Sequence, residues 1–258
     1  MSSILIDQRD GILRLTLNRP ALRNAFDEDV IARLTATAAA AAGDADLRAV
    51  VLAGAGPVFC AGADLAWMSK AIAYTQRENL NDAEDLARLL ERLDTLRVPV
   101  IARIQGAALG GGVGLAAICD IVIAADDAMF ALTEVKLGIL PAVIAPYVVG
   151  KIGVSAAREL FLTGARFTAQ RAREIGLVHE VVPERELDAA VDRRIAEIRT
   201  AGPSAIAVAK ALIREIAGAD PKDVIGLTTA TIAAQRVSDE GQEGMRAFLQ
   251  KRKPGWSA

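Results

Sequence analysis

Three consecutive glycines, Gly110, Gly111 and Gly112, stand between an apolar run at 98–105 and another at 113–118, and a lone carboxylate, Glu134, follows twenty positions after Gly114. Glycines at a strand-to-helix corner let the backbone come close to a partner. The bare N–H groups at the mouth of a helix, with the helix dipole behind them, favour negative charge. The same residues also suit a tight turn in which glycine only permits close packing. A dinucleotide fingerprint is excluded, because G-x-G-x-x-G from Gly110 needs glycine where Leu115 stands, and no phosphate-binding G-x-x-x-x-G-K-[ST] occurs.

A second glycine-bearing corner, FCAGADL at 59–65, supplies the other half of a candidate site. If the amides of Ala63 and Gly111 converge on one oxygen, they stabilise a developing oxyanion, and losing one such donor typically raises a barrier by about 3–4 kcal/mol. Proton transfer beside the polarised carbonyl needs a carboxylate or histidine within reach. Glu134 follows a short apolar strand, MFALTE, where desolvation raises a carboxyl's proton affinity. The alternative for Glu134 is a surface glutamate after an edge strand. His179, in GLVHEVV, reads as a packed or surface residue, and Asp120, Asp126 and Asp127 as turn and capping residues. No G-x-S-x-G is present, which argues against an α/β-hydrolase triad. Arg23 and the 251–253 cluster of Lys251 are solvated charges that are also able to hold phosphates.

Elements that would position these groups alternate between strand and helix. Segments 4–9 and 11–17 read as a hairpin around Asp10-Gly11. Asp27 is an N-cap for a helix to about residue 42. A buried strand follows at 47–53. Residues 68–82 are polar and weakly periodic and read as a mobile loop or frayed helix, with a helix from 83 to 96 after them. Strands are expected at 98–105, 120–124 and 128–132, with helical runs at 142–150 and 154–162. Beyond these lie helices at 168–175, 184–200, 203–217, 223–237 and 239–251, interrupted by a strand at 177–182. The reading is an α/β core over residues 1–200 and a helical region over 201–258, whose apolar faces are expected to pack on a neighbouring copy.

The 258 residues are 52% hydrophobic, enough for one large core, and 30 basic against 32 acidic residues leave a net charge of −2. Charges are interspersed, which argues against nucleic acid or an anionic membrane as partner. Two cysteines in apolar surroundings, Cys60 and Cys119, read as reduced core residues and point to a cytoplasmic location, and with one histidine they cannot form a metal quartet. No secretory signal or membrane span is expected: the apolar run 36–42 is too short and is broken by Gly43 and Asp44.

The motifs NRPALRNAF, FCAGADL, IQGAALGGGVGLAAICD, FALTEVKLGILP, ELFLTG, ARFTAQRAREIGLVHEVVP and EGMRAFLQKRKPGW together span nearly the whole chain. In combination they resemble the enoyl-CoA hydratase/isomerase, or crotonase, superfamily. The resemblance implies an α/β fold, a spiral of ββα units followed by a C-terminal helical trimerisation region. A homotrimer or a dimer of trimers is expected, with an acyl-CoA thioester as substrate and no separate cofactor. It casts the Ala63 and Gly111 amides as holders of the thioester oxygen and Glu134 as the catalytic carboxylate. Ala61, Gly62, Asp64 and Leu65, with Gly110 and Gly114, would line the substrate and CoA site. Arg23 would lie near the CoA phosphates, and Phe248 with Lys251 would complete the site, from the same or a neighbouring subunit.

One departure bears on the reaction. Hydratases of this superfamily commonly use two glutamates; the second matches Glu134, and the first falls on Gly114. Either Glu134 alone handles both proton movements, another group substitutes, or the reaction needs one carboxylate, as in Δ3,Δ2-enoyl-CoA isomerisation. The run LTEVKLGILPAVIAPYVV resembles bacterial methylglutaconyl-CoA hydratase-like members, which ranks hydration first, isomerisation second, and a non-catalytic acyl-CoA binding protein third.

Overall fold

The structure, a computed structural model, describes residues 2–257. Strand β1 (Ile4–Arg9) and β2 (Ile12–Leu17) form the expected antiparallel hairpin, in which Asp10 and Gly11 both take positive φ in the two-residue turn. From β2 onward the large sheet is parallel, in the order β1-β2-β3-β4-β6-β9, with β3 (Ala49–Gly54), β4 (Val100–Ile104), β6 (Ile121–Ala125) and β9 (Glu180–Val182). The interior strands AVVLAG and VIARI are almost wholly buried, as parallel strands covered on both faces must be.

A second layer lies beside the first. Strand β5 (Ala107–Leu109) pairs parallel with β7 (Met129–Ala131), which pairs antiparallel with β8 (Arg166–Thr168). Single parallel bridges, Cys60 with Ala108 and Phe26 with Ala63, carry this layer back toward the N-terminus. Each turn therefore runs from the large sheet to the small layer and then into a helix, the ββα spiral that was expected.

Helix α1 (Glu28–Ala42) starts at Asp27, whose side chain accepts the Val30 N–H, and buries Val30, Ile31, Leu34, Ala38 and Ala41. The 68–82 segment, expected as a mobile loop or frayed helix, is mostly helical. Helix α2 (Leu65–Ala71) is capped by Asp64, and α3 (Gln76–Asp94) starts seven residues early, because Thr75 and Glu78 form a reciprocal capping box. That local signal outweighs weak periodicity. Helix α4 (Gly111–Ala117) follows β5 directly. The two helices expected at 142–150 and 154–162 make up α5 (Ala145–Thr163), and they are parted at Gly153, whose φ of 72° and ψ of 164° are non-helical. Strand β8, three residues long, carries too little alternation to read from sequence.

Helices α6 (Ala169–Glu174) and α7 (Leu187–Thr200) close the core, and α8 (Pro203–Ile216), α9 (Ile225–Val237) and α10 (Asp239–Leu249) follow. Lys210 anchors α8: its ammonium donates to Asp120 Oδ2 at 2.7 Å and to Val98 O at 3.1 Å, while Asp120 Oδ2 also accepts the Val100 N–H. No helix among the described residues is long and apolar enough to cross a membrane.

Candidate active site

The two glycine corners run side by side. Leu109 N–H donates to Cys60 O at 2.9 Å and Cys60 N–H to Ala107 O at 3.1 Å. Beyond that pairing the chains part, and Gly62 (φ +90°) sits so close that a Cβ there would lie 2.8 Å from Leu109 O and 3.6 Å from Gly111 N. Among the described residues, neither the Ala63 N–H nor the Gly111 N–H donates to an acceptor in the protein. Ala63 is held between two bonds to its neighbour, Phe26 N–H to Gly62 O and Asp64 N–H to Phe26 O, both 2.9 Å. Gly111 is the first residue of α4, where N–H groups have no intrahelical partner.

Glu134 reaches this place through β7. Gly110 N–H donates to Ala131 O at 2.8 Å, and three residues after that anchor a 3-10 turn, Glu134–Leu137, begins with Glu134. Its Oε1 would lie 2.9 Å from a Cβ on Gly110, so the carboxylate rests on a bare Cα. Its Oε2 is buried and has no hydrogen-bond partner. Burial raises the proton affinity of this carboxyl, offset only in part by its own backbone N–H, and no neighbouring charge counters it.

The place expected for a first glutamate holds something else. Gly110 and Gly114 lie one turn apart on one face of α4, linked by Gly114 N–H to Gly110 O at 3.3 Å. Over Gly114 packs Ile144: a Cβ at 114 would lie 2.2 Å from Ile144 Cγ2 and 2.8 Å from its Cβ. Ile144 is 2% exposed. An aliphatic side chain, and no second acid, is therefore the neighbour of Glu134 along this helix face.

A charged clamp backs the Ala63 corner. Arg19 pairs with Asp64 Oδ2 at 2.9 Å and Asp27 Oδ2 at 3.1 Å and donates to Ala25 O at 2.7 Å. Asp64 also accepts the N–H groups of Ala66 and Trp67, so its carboxylate is engaged inside the protein. Burial alone would raise its pKa, but those two backbone donors and Arg19 outweigh it, and the carboxyl is held below the usual range. Sequence reasoning found Asp64 but missed Arg19 and Phe26, which lie inside the NRPALRNAF motif; Ile144 falls within the 142–148 stretch that the sequence reading places along the acyl-chain pocket, without a partner assigned to it.

The remaining residues singled out from sequence fall at graded distances from this centre. Arg23 is exposed and takes the left-handed conformation, and its carbonyl accepts the Ala61 N–H at 3.0 Å, so it borders the 61–65 corner. Leu65 is 83% exposed beside it. Phe248 and Lys251 belong to the end of α10, joined by Lys251 N–H to Phe248 O, and Phe248 is also 83% exposed. His179 accepts the Val122 N–H through Nδ1. Cys60 and Cys119 are buried and unbridged, and burial pushes both thiols up to about 12. Among the described residues no cluster of three His, Cys, Asp or Glu side chains forms a metal site.

Residues 7–258 match the family described as enoyl-CoA hydratase/isomerase. The chain is 34% identical over 257 residues to the 2,3-dehydroadipyl-CoA hydratase of Escherichia coli, with 98% of each chain covered. Among solved structures, an enoyl-CoA hydratase from Shewanella pealeana superposes with a TM-score of 0.95 at 39% identity, over 98% of this chain and 96% of that one. AtuE of Pseudomonas aeruginosa gives 0.95 and 39%, over 99% and 100%. With the ββα spiral, the paired glycine corners and Glu134 in place, these likenesses make the chain a member of the enoyl-CoA hydratase/isomerase family, with the crotonase fold.

Proposed function

We propose that the protein hydrates the 2,3 double bond of an enoyl-CoA thioester, with Glu134 as its single acid–base group. The Ala63 and Gly111 N–H groups donate to the thioester oxygen. Glu134 takes a proton from water as the water oxygen bonds to C3, the π pair moves onto the carbonyl as an enolate, and the carboxyl returns the proton to C2. The observation that carries this reading is the half-buried Glu134 carboxylate lying over Gly110 with its Oε2 unpartnered, next to two N–H groups that the protein leaves unused. A carboxylate and two amides supply the proton transfer and charge stabilisation, so the reaction requires no cofactor beyond the coenzyme A of the substrate.

The 61–65 corner and Arg23 are read as the entrance for coenzyme A, with Phe248 and Lys251 contributed by the same or a neighbouring copy. A homotrimer or a dimer of trimers is supported by the apolar side chains left on the helical region: Ile213, Val237, Phe248 and Leu249 are each more than three-fifths exposed. A cytoplasmic enzyme acting on chains such as 3-methylglutaconyl-CoA fits the sequence resemblance. The E. coli relative's name, a hydratase of an enoyl-CoA with a second carboxyl group, points to the same substrate class.

A second reading, Δ3,Δ2-enoyl-CoA isomerisation, is favoured by Ile144 over Gly114, which leaves one carboxylate to shuttle a proton between two carbons. Turnover of straight-chain trans-2, trans-3 and 3-methylglutaconyl thioesters in 18O water, for wild type and Glu134→Gln, separates the two. Hydration places 18O in the product and is lost in the variant; double-bond migration without 18O makes the enzyme an isomerase. Tight acyl-CoA binding that is indifferent to Glu134, with no turnover, identifies a binding protein.

A further inference from the structure

Phe26 touches both amide-bearing corners at once. Its backbone brackets Ala63 through the two bonds to Gly62 and Asp64, each 2.9 Å. Its ring reaches across to the other corner, where a Cβ on Gly111 would lie 2.3 Å from Phe26 Cζ and 2.8 Å from Cε1. One rigid side chain thus spans from the strand that carries the first free N–H to the Cα beside the second.

Neither end of this span is loose. Trp67 backs the ring at a centroid distance of 5.9 Å with planes tilted by 55°, and Trp67 is itself fixed by its Nε1–H to Asp82 Oδ1 at 3.0 Å. At the backbone end, Arg19 grips both flanks of Phe26, the Ala25 carbonyl at 2.7 Å and the Asp27 carboxylate at 3.1 Å, and with its other nitrogen holds Asp64 at 2.9 Å. The ring is 3% exposed and carries no polar atom, so it acts on the chemistry only through what it holds apart.

We propose that Phe26 is a positioning residue for the reaction: the reach of its ring sets the gap between the Ala63 and Gly111 N–H donors, and Arg19 holds it in register. The inference rests on the reading of those two amides as donors to the thioester oxygen. Donors stabilise an oxyanion only at about 2.7–3.1 Å from where the charge develops, so a shortened spacer weakens the transition state more than the ground state. A smaller side chain at 26 is expected to lower kcat while leaving KM nearly unchanged.

The test uses the full-length protein and a saturated thioester, [1-13C]butyryl-CoA, which binds without turnover. Isotope-edited infrared spectra read the bound carbonyl stretch, which moves to lower frequency as the two N–H donors polarise it. Wild type is expected to show that shift, Phe26→Leu to lose most of it, and Phe26→Met, which keeps the reach, to fall between them. Phe167→Leu is the control, since Phe167 is an equally buried ring stacked on Phe130 at 5.6 Å and touches neither corner; it is expected to keep the full shift. In steady state Phe26→Leu is expected to lose about tenfold in kcat or more.

A wild-type shift preserved in both Phe26→Leu and Phe26→Met overturns the inference and leaves the proposed function standing. Equal loss in Phe26→Met and Phe26→Leu overturns the argument from reach. A wild-type spectrum identical to free thioester overturns the amide reading itself, and this inference with it. Should Phe26→Leu fail to fold, Phe26→Met against Phe167→Leu carries the comparison: a reduced shift in Phe26→Met beside a full shift in Phe167→Leu supports the proposal, and a full shift in both overturns it.

Discussion

The carboxylate of Glu134 lies on the Cα of Gly110, close enough that a single added carbon would sit 2.9 Å from its Oε1. Gly110 is held at φ +50° and ψ −121°, a conformation L side chains rarely adopt. Position 110 is thus closed to other residues twice over, by its own backbone and by the acid above it. Gly110→Ala is expected to lose about 10- to 100-fold in kcat, as misplacement of a catalytic group by an ångström does, with a further strain of about 1–2 kcal/mol in stability. Steady-state kinetics beside a urea titration reads both, and a variant with wild-type kcat would show that Glu134 does not act from this position.

Glu134→Gln is expected to cut turnover by about 10²- to 10⁴-fold while acyl-CoA binding persists. The sign of the stability change is opposite. Burial raises the folded-state pKa of Glu134 above its unfolded value, so the folded protein holds this proton more tightly. The stability tied to that proton is fully present below the unfolded pKa and is lost as pH rises through the folded one. Gln has no proton to lose, so the variant should melt above wild type at neutral pH, and the two should converge below about pH 4. In wild type, activity should fall as pH drops through a pKa above the ordinary glutamate range; a profile flat to pH 4 would count against Glu134 as base.

Gly114 and Ile144 form a pair whose coupling changes sign. With Ile144 present, Gly114→Ala drives a Cβ to 2.2 Å from Cγ2, an overpacking expected to cost about 1–3 kcal/mol. In an Ile144→Gly background, which removes both Cγ2 and the Cβ 2.8 Å away, the same change is an ordinary glycine-to-alanine replacement inside a helix and should stabilise by about 0.5–1 kcal/mol. Thermal melts of the two single variants and the double variant complete the cycle, and additivity would mean that Ile144 moves aside freely.

Lys210→Met should loosen the helical region selectively. Its side chain is 10% exposed and pairs with Asp120, which is 31% exposed, so the loss is expected to be on the order of 2–3 kcal/mol, below that of a fully buried pair because water still reaches the carboxylate. Hydrogen exchange should quicken in α8 and remain slow in β3 and β4. Equal acceleration in both would mean that α8 and the sheet open as one unit.

The alternation of strands and helices, the Asp10-Gly11 hairpin and the Asp27 cap were legible because each rests on local chemistry that the sequence spells out. Glu134 and the two glycine corners were legible for the same reason, as residue types placed where strands end. The early start of α3 was written in Thr75 and Glu78 but hidden by the polar stretch around them. Phe26 was not legible as part of the site, and Ile144 was legible only as one residue of a pocket-lining stretch, because what matters is the bare Cα each covers, and a contact between residues 144 and 114, or 26 and 111, exists only once the spiral has wound. The Arg19 clamp is similar: its partners lie 8 and 45 positions away, and only the folded loop brings both carboxylates to one guanidinium.

Helix α4 and the residue that caps it contribute two blank positions, 114 and 110, and the side chains that sit nearest over them come from one later stretch, 134–144. The glycine corners and the proposed acid–base group are thus encoded in separate blocks of the gene. A recombination or a few substitutions confined to the later block would exchange the acid and its neighbour together while the corners proposed to hold the thioester are inherited unchanged. Within this architecture the acid and the side chain packed beside it change together, without rebuilding the glycine corners.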